Sequence, residues 1–461
     1  MEQLQAALDQ ISSFVWGPFL LIPLLLLTGL YLTIRLGGLQ FRVLGHALWL
    51  ALVRRKEATS CAGDVSHYQA LATALAATIG VGNIAGVATA IGIGGPGALF
   101  WMWMTGLVGM ATKYSEGLLG VKYRQADAKG EQSGGPMYYL TKGVGGPWGK
   151  GLGIAFALFG AIAAFGIGNM VQANTAAGQL QATWDIPATW SGLVMAVLAG
   201  AVILGGIKSI ARFAAGVVPL MCVLFILANL LVLVVFAERL PGALAMVFTD
   251  AFSGTSAAGG FAGSAVILAV QMGVARGIFS NESGLGTGAI AAASAITDRP
   301  VRQAMVSMTQ TFIDTLIMVT MTALSIIVTG AWMQEGLDGA PMTAWALEQA
   351  MGGGWGNVTI ALGVLVFSFT TLLGWCYYGE RCIEMLVGRR GVMPYRLVFS
   401  VMVYVGAVLS LEMVWTFSDI ANGLMALPNL IGLLLLSGVV VNETRKYFAD
   451  PDWRDAKQGG S

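Results

Sequence analysis

The chain has 461 residues, of which 56% are hydrophobic and only 11% are charged, and its net charge is +1. Soluble domains carry about a quarter charged residues, so this composition excludes an ordinary soluble protein. The near-neutral charge and the lack of a basic cluster with interleaved aromatic residues give no indication of nucleic-acid binding. The four cysteines and two histidines lack the spacing of a metal or haem site, so no cofactor is expected.

Repeated apolar stretches of about 18 residues or more predict an all-α membrane protein that crosses the bilayer many times. The first ten residues contain no Lys or Arg, unlike a signal peptide, so the first apolar run is expected to remain as a span. Eleven transmembrane helices are predicted, at about 14–34, 67–92, 96–120, 151–178, 186–206, 210–237, 258–290, 301–331, 357–385, 393–411 and 414–442.

The distribution of Lys and Arg predicts the orientation, because cytoplasmic connections carry an excess of both. With the N-terminus outside and the C-terminus inside, the predicted exterior keeps only Arg239, and its longest loop (332–356) is acidic. The cations that then fall inside are Arg35, Arg42, Arg54, Arg55, Lys56, Lys122, Arg124, Lys129, Lys142, Lys150, Lys208, Arg212, Arg299, Arg302, Arg389, Arg390, Arg396, Arg445, Lys446, Arg454 and Lys457. We expect the protein in the cytoplasmic (inner) membrane of a bacterium or archaeon.

Two of the predicted spans are interrupted by glycines, in the stretches TIGVGNIAG (78–86) and GVARGIFSNESGLG (273–286). Each opens a group of five spans, and an odd number of spans per group places the two groups in opposite orientations. We therefore predict one N-terminal span followed by a five-plus-five inverted-repeat core with two unwound helices. The predicted parts are 1–66 (first span and cytoplasmic connection), 67–240 and 250–443 (the two repeats) and 444–461 (a cytoplasmic tail).

Unwound backbone inside a membrane is tolerated only beside protein, a cavity or a ligand. The N–H groups of a half-helix attract a carboxylate, and freed carbonyls attract a cation, so a small zwitterion with Na⁺ fits both. The alternative is close helix packing, because Gly82 and Gly86 form a GxxxG motif.

The motifs TIGVGNIAGVATAIGIGGPGALFWMW, GNMVQANT, GVARGIFSNESGLG and GWCYYGERC together resemble those of the alanine or glycine:cation symporters, also called sodium:alanine symporters. The resemblance covers about residues 14 to 445. It implies the leucine-transporter-like fold and sodium-coupled import of alanine or glycine by alternating access.

The resemblance also implies roles for particular residues. Trp375 would form an aromatic wall, and the carbonyls of Ile278, Phe279 and Ser280 would meet the substrate amine. The implied substrate contacts are Thr78, Gly80, Gly82, Asn83, Gln172, Ile278, Phe279, Ser280, Thr371 and Trp375. The implied sodium ligands are Ala76, Ala77, Ile79, Thr370 and Thr371.

Charged residues at membrane depth are functional candidates. Arg276 and Glu282 are expected to form a gate or structural pair, with binding of a substrate carboxylate by Arg276 as the alternative. Asp314 is either a proton or ion site or a hydrogen-bonded structural carboxylate. Lys113 and Glu116, three residues apart, are expected to form an intrahelical ion pair.

The sequence thus predicts a sodium-coupled transporter of a small neutral amino acid. The partners expected are alanine or glycine, sodium and membrane lipid, with no nucleic acid and an oligomeric state left open. Proton coupling is the closest alternative, and an ion channel is a further one, because glycine-rich backbone also lines selectivity filters. A membrane enzyme is disfavoured, since no nucleophile–base constellation stands out.

Overall fold

The computed structural model describes residues 2–17, 19–54, 61–127, 129–253 and 262–454. Arg55 and Lys56, the start of predicted span seven (258–261) and tail residues 455–461, which include Lys457, lie outside these ranges.

Most of the described chain is helical. The α-helices before residue 254 are α1 (Glu2–Val15), α2 (Leu21–Arg35), α3 (Leu39–Arg42), α4 (Leu44–Trp49), α5 (His67–Thr78), α6 (Ala85–Gly94), α7 (Gly97–Lys122), α8 (Pro136–Tyr139), α9 (Gly146–Phe165), α10 (Val171–Trp184), α11 (Ala188–Ile203), α12 (Gly206–Val235) and α13 (Leu240–Ser253). The strands β1 (Gln125–Ala126) and β2 (Gln132–Ser133) pair as a short antiparallel hairpin after α7. Shorter π or 3₁₀ turns cover Leu50–Arg54, Val81–Asn83, Leu140–Val144, Gly166–Met170 and Ala237–Arg239.

The helices after residue 261 are α14 (Ala262–Asn281), α15 (Thr287–Ala293), α16 (Pro300–Thr311), α17 (Thr320–Thr329), α18 (Gly339–Met351), α19 (Trp355–Val387), α20 (Val392–Val408), α21 (Leu411–Leu435) and α22 (Ser437–Ala449). A π segment, Phe312–Val319, joins α16 to α17, and 3₁₀ turns cover Ala331–Met333 and Arg389–Gly391.

Six continuous helical stretches in the described chain are long and apolar enough to cross a membrane. They are Gly146–Trp184, Gly206–Val235, Pro300–Thr329, Trp355–Val387, Arg389–Val408 and Val414–Leu435. The pair His67–Thr78 and Val81–Gly94, bent by 60°, forms a seventh when counted as one broken span. The count of eleven remains a prediction.

The first interruption falls where the sequence predicts it. Helix α5 begins at a capping box, in which Ser66 Oγ accepts the Gln69 N–H at 3.2 Å and Gln69 Oε1 accepts the Ser66 N–H at 3.0 Å. It ends at Thr78, and the chain turns sharply before α6 starts at Ala85.

The second interruption is shorter than the quoted motif. Helix α14 continues through Asn281, and the unwound part is residues 282–286. Its backbone is left-handed at Glu282 (φ 56°), Gly284 (φ 94°) and Gly286 (φ 82°), which glycine adopts readily. Helix α14 packs between α7 and α6, so both interruptions lie in the interior of the bundle.

Candidate functional site

The amide groups of the first interruption bond to side chains instead of to their own helix. The Gly80 N–H donates to Asn83 Oδ1 at 3.0 Å, and the Val81 N–H donates to Gln172 Oε1 at 3.1 Å. The Asn83 N–H turns back to the Gly80 carbonyl at 3.2 Å. Each of these amides would otherwise serve a carbonyl four residues earlier.

The carbonyls that lose their helical donors are those of Ala76, Ala77 and Ile79. Thr371, on α19, lies against these carbonyls: its Oγ1 donates to Ala76 O at 3.0 Å and is 3.5 Å from Ile79 O. A cluster of neutral oxygens is thus available for a hard cation such as Na⁺.

The hydroxyls of Thr370 and Thr371, predicted as a pair of sodium ligands, have different partners. The Thr370 hydroxyl donates to Phe367 O at 2.9 Å and lies 3.7 Å from the Met221 sulfur. Consecutive residues on a helix point about 100° apart, which explains why Thr371 alone bonds to α5. Thr370 as a sodium ligand stays a prediction, and the structure places only the Thr371 hydroxyl against the carbonyls of the first interruption.

Gln172 and Thr371 approach Gly80 so closely that a side chain would not fit. A Cβ at Gly80 would lie 2.5 Å from Thr371 Oγ1 and 2.9 Å from Gln172 Oε1. Gln172 is itself oriented by a 2.8 Å bond from its Nε2 to the Ile167 carbonyl. The Thr78 hydroxyl, an expected substrate contact, bonds back to the Ala74 carbonyl of its own helix at 3.0 Å.

A buried carboxylate, Asp314, connects the two interrupted spans. Asn83 Nδ2 donates to Asp314 Oδ1 at 2.7 Å, and Ser280 Oγ lies 2.9 Å from Oδ2 and 3.1 Å from Oδ1. Thr315 Oγ1 donates to Oδ2 at 2.9 Å. The sequence marked Asp314 as a mid-span acid, but it did not indicate that both interruptions share this residue.

The second interruption is capped by another buried carboxylate. Glu116 Oε1 accepts the N–H groups of Gly284 and Gly286, each at 3.0 Å, and Asn429 Nδ2 at 2.8 Å. Asn429 also donates to the Gly284 carbonyl at 2.8 Å. The expected Lys113–Glu116 ion pair is absent: within the described chain Lys113 Nζ is buried without a hydrogen-bond partner.

Two of the three expected amine-binding carbonyls are freed. Ile278 O accepts the Glu282 N–H at 2.8 Å and so stays within the helix, contrary to expectation. The Ser283 N–H donates to Asn281 Oδ1 at 2.9 Å, and the Gly284 N–H donates to Glu116 Oε1. The carbonyls of Phe279 and Ser280 therefore lose their helical donors.

The two interruptions touch at Gly82. A Cβ there would lie 3.1 Å from the Phe279 ring and 3.2 Å from Ser280 Cα. Phe279 in turn packs against Trp415 of α21, with ring centroids 4.8 Å apart and the ring planes tilted by 33°. The expected aromatic wall, Trp375, is buried and lies against Gly168 of the π turn that joins α9 to α10.

The expected Arg276–Glu282 pair is wrong. Arg276 pairs with Asp419, with Nη2 to Oδ2 at 3.1 Å, and its guanidinium lies 4.6 Å from the Trp415 ring centroid. Glu282 instead accepts a 2.6 Å bond from Thr287. Because α14 is helical through residue 281, positions six residues apart point to different sides.

A cavity of about 610 Å³ lies beside this ion pair, on the side that the Arg and Lys distribution predicts to be extracellular. It is lined by Ala85, Thr89, Asn174, Thr175, Gly178, Gln179, Arg276, Asp338, Gly339, Ala340, Pro341 and Trp415. Arg276, Trp415 and Phe279 therefore separate this vestibule from Gly82.

The opposite end is closed by an ion network around the β1–β2 hairpin. Arg381 Nη2 lies 2.8 Å from Glu131 and its Nη1 lies 2.7 Å from Glu384, while Arg389 also contacts Glu131 at 2.9 Å and pairs with Asp127. Burial raises the pKa of Asp127, but amide N–H donors and Arg389 outweigh it and hold the pKa below its usual value. The hairpin is therefore fixed by ionised groups near neutral pH.

These features define a class of protein: an α-helical membrane transporter with interrupted helices, not an enzyme. The crystal structure of MhsT in complex with L-phenylalanine has the same leucine-transporter-like fold, with a TM-score of 0.58 at 15% identity over 81% of this chain and 89% of that one. The model of the sodium:alanine symporter family matches residues 1–458. The chain belongs to the sodium:alanine symporter family, which confirms the resemblance.

Curated relatives are similar over nearly the full chain. AgcS of Methanococcus maripaludis, a sodium/alanine symporter, is 49% identical over 95% of this chain and 96% of its own. An uncharacterized transporter of Haemophilus influenzae is 50% identical over 96% of each chain. GlnT of Bacillus subtilis, a probable sodium/glutamine symporter, is 36% identical over 95% of this chain and 89% of its own.

Proposed function

We propose that the protein couples the inward movement of Na⁺ to the import of a small neutral amino acid, alanine or glycine. The observation that carries the proposal is the meeting of two kinds of freed backbone group at Gly82. At Gly82 the Val81–Asn83 turn, whose amides no longer bond within a helix, touches Phe279 and Ser280, whose carbonyls have lost their helical donors. A zwitterion needs one group of each kind. Family membership and the sodium/alanine relative support the same substrate class.

The substrate carboxylate would bind the amides at the start of the Val81–Asn83 turn. The Val81 N–H now donates to the amide oxygen of Gln172, which occupies the place of an anionic acceptor. The substrate amine would face the carbonyls of Phe279 and Ser280. The Phe279 ring, close to Gly82, would limit the substrate side chain to a hydrogen or a methyl group, which would favour glycine and alanine over larger substrates.

Sodium would bind the freed carbonyls of Ala76, Ala77 and Ile79 together with the Thr371 hydroxyl. These oxygens are uncharged, and Na⁺ takes oxygen ligands as other hard cations do. Thr371 already contacts Ala76 O and Ile79 O, so one ion there would fix α19 to the first interruption. Sodium and substrate would in this way stabilise the same arrangement.

Transport would proceed by alternating access between the vestibule and the hairpin end. The Arg276–Asp419 pair with Trp415 would open on one side, and the hairpin ion network would open on the other. We infer that 67–240 and 250–443 are the inverted repeats that move relative to one another, with 1–66 and 444–461 outside them. The N-terminus would lie outside and the C-terminus in the cytoplasm.

Binding measurements test the substrate site. Asn83→Ala and Gln172→Ala should each weaken alanine and glycine binding by about tenfold or more, because each removes a buried hydrogen-bonding group. Isothermal calorimetry in detergent with Na⁺ present measures the affinity, and Gln181→Ala, at an exposed position on the same helix as Gln172, is the matched control. Wild-type affinity in both site variants would reject the site. Glutamine, which the more distant relative is named for, serves as the larger competitor.

Proton coupling is the second candidate, and the buried Asp314 at the junction of both interruptions favours it. Proteoliposomes are placed in a medium with radiolabelled alanine or glycine, and an inward Na⁺ gradient or an inward proton gradient is imposed in turn. Uptake driven by Na⁺ alone supports the proposed coupling. Uptake driven by the pH gradient without Na⁺ would replace it with proton coupling.

A further inference from the structure

A second cavity of about 610 Å³ lies at the opposite end of the molecule from the vestibule, between the end of α2, the short helices α3 and α4, and the tail helix α22. It is lined by arginines from both ends of the chain, by His46 and by apolar side chains. We call it the tail pocket. Nothing in the proposed transport cycle uses it.

The tail pocket is strongly cationic. Four arginines line it, Arg35, Arg42, Arg445 and Arg454, and no carboxylate is among its lining residues in the part of the chain that the structure describes. Within that same part, none of the four guanidinium groups has a carboxylate oxygen within 4 Å. Four cations so close together, without local compensation, indicate a site for an anion.

A buried polar atom also faces this region without a partner. His46 Nε2 is buried and, among the described residues, has no hydrogen-bond partner. Burial, followed by the charges of Arg454, Arg302 and Arg54, lowers the pKa of His46 below its usual value. An anion that accepted a hydrogen bond from the imidazole would satisfy this atom and offset the surrounding positive charge.

The remaining walls are apolar, which distinguishes the pocket from a site for a soluble anion. Leu36, Val43 and Val441 are buried in it, and Phe448 and Trp453 pack edge to face with ring centroids 4.7 Å apart. A free phosphate needs no such wall, whereas the glycerol and upper acyl carbons of a lipid do.

The pocket also adjoins a lipid-facing surface. Helix α2, which ends at Arg35, leaves Leu27 at 61% and Ile34 at 69% exposure, as expected of a helix surface that faces acyl chains. One turn before its end, Tyr31 accepts a 2.6 Å hydrogen bond from Arg35, which is typical of an aromatic residue at the membrane interface. A lipid lying along α2 would therefore bring its headgroup to the arginines.

We propose that the tail pocket binds the headgroup phosphate of an anionic phospholipid in the leaflet at this end, which the arginine distribution predicts to be cytoplasmic. Basic pockets at helix ends on that side recognise anionic headgroups. The bound lipid joins α2, from the first span, to α22, which follows the last span. It thereby holds the tail helix against the bundle, whichever substrate or ion the protein transports.

Native mass spectrometry of the full-length protein tests the proposal. The protein in detergent is titrated with phosphatidylglycerol or with phosphatidylcholine of the same acyl chains. The double variant Arg42→Gln/Arg445→Gln removes two pocket cations. We expect the wild-type protein to prefer phosphatidylglycerol and the double variant to bind it about thirtyfold more weakly. Arg212→Gln/Arg390→Gln, which removes two exposed cations elsewhere, should leave binding unchanged.

Three results would overturn the proposal: equal retention of phosphatidylglycerol by both double variants, equal binding of the two lipids by the wild-type protein, or displacement of the lipid by inorganic phosphate at millimolar concentration. The last result would identify a free-anion site instead. Melting temperatures of lipid-free wild-type and variant proteins check the fold, and a pocket variant that melts as the wild type does while losing the lipid supports the proposal.

Discussion

The interruption around Gly80 and the interruption at 282–286 both leave buried backbone groups without partners in their own helix. The side chains that bond to these groups differ between the two. At the first, the partners are uncharged: the amide of Gln172, the amide of Asn83 and the hydroxyl of Thr371. At the second, the carboxylate of Glu116 accepts two backbone amides at once.

This difference separates a site for exchangeable ligands from a fixed structural feature. A substrate carboxylate can replace a neutral side chain as the acceptor of one hydrogen bond at little cost in free energy. A cation can likewise bind beside neutral oxygens without displacing a charge. If a buried carboxylate that accepts hydrogen bonds from two backbone amides and an asparagine moves away, all three donors lose their acceptor. We therefore expect ligands at the first interruption and at the carbonyls just before the second, and a permanent cap within the second.

The largest effect is expected from Glu116→Ala. It leaves the N–H groups of Gly284 and Gly286 and the amide of Asn429 without their acceptor in a buried site, which we expect to cost about 3 kcal/mol or more. Thermal unfolding in detergent should show a much lower melting temperature, with or without alanine.

Glu116→Gln is the matched control, because it keeps one acceptor oxygen of the same shape and should recover most of the melting temperature. An alanine variant that melts as the wild type does would remove the distinction between the two interruptions.

The next effect is expected from Asp314→Asn, which acts on the junction instead of on either interruption. Asparagine keeps one acceptor oxygen but turns an N–H group toward Asn83, Ser280 or Thr315, which now donate to the carboxylate. We expect sodium-driven uptake to fall by about tenfold or more, equivalent to about 1.4 kcal/mol, while the melting temperature changes less than in Glu116→Ala.

Uptake at the wild-type rate in Asp314→Asn would show that Asp314 is a structural carboxylate with no part in coupling. A retained rate with a changed response to Na⁺ or to pH would show instead which ion depends on it.

The sequence predicted where the first interruption falls because its signals are local. Glycines and an asparagine within an apolar run indicate an interruption, and the prediction placed the first one correctly. The partners that depend on tertiary packing were not predictable: Asp419 and Trp415 lie about 140 residues from Arg276 along the chain, and no periodicity connects them. Spacing within one helix was also misleading, since Lys113 and Glu116 stand three apart but do not pair.

A smaller and more selective effect is expected from Thr371→Val. Valine keeps the volume but removes the hydroxyl that contacts Ala76 O and Ile79 O, so the Na⁺ concentration for half-maximal uptake should rise about tenfold. Thr370→Val, whose hydroxyl bonds within its own helix, is the matched control and should respond to Na⁺ normally. The reverse order of the two variants would restore Thr370 as the ligand.

The smallest effect is expected from Gly86→Ala, which tests the packing explanation of the GxxxG motif directly. A Cβ at Gly86 meets no atom within 4 Å, whereas a Cβ at Gly82 would press on Phe279 and Ser280. Because Gly86 lies in α6, alanine there should leave transport unchanged and stabilise the helix by up to about 1 kcal/mol. Gly82→Ala should lower uptake strongly. If both variants lose stability and activity equally, the glycines serve helix packing, and the first interruption is not a ligand site.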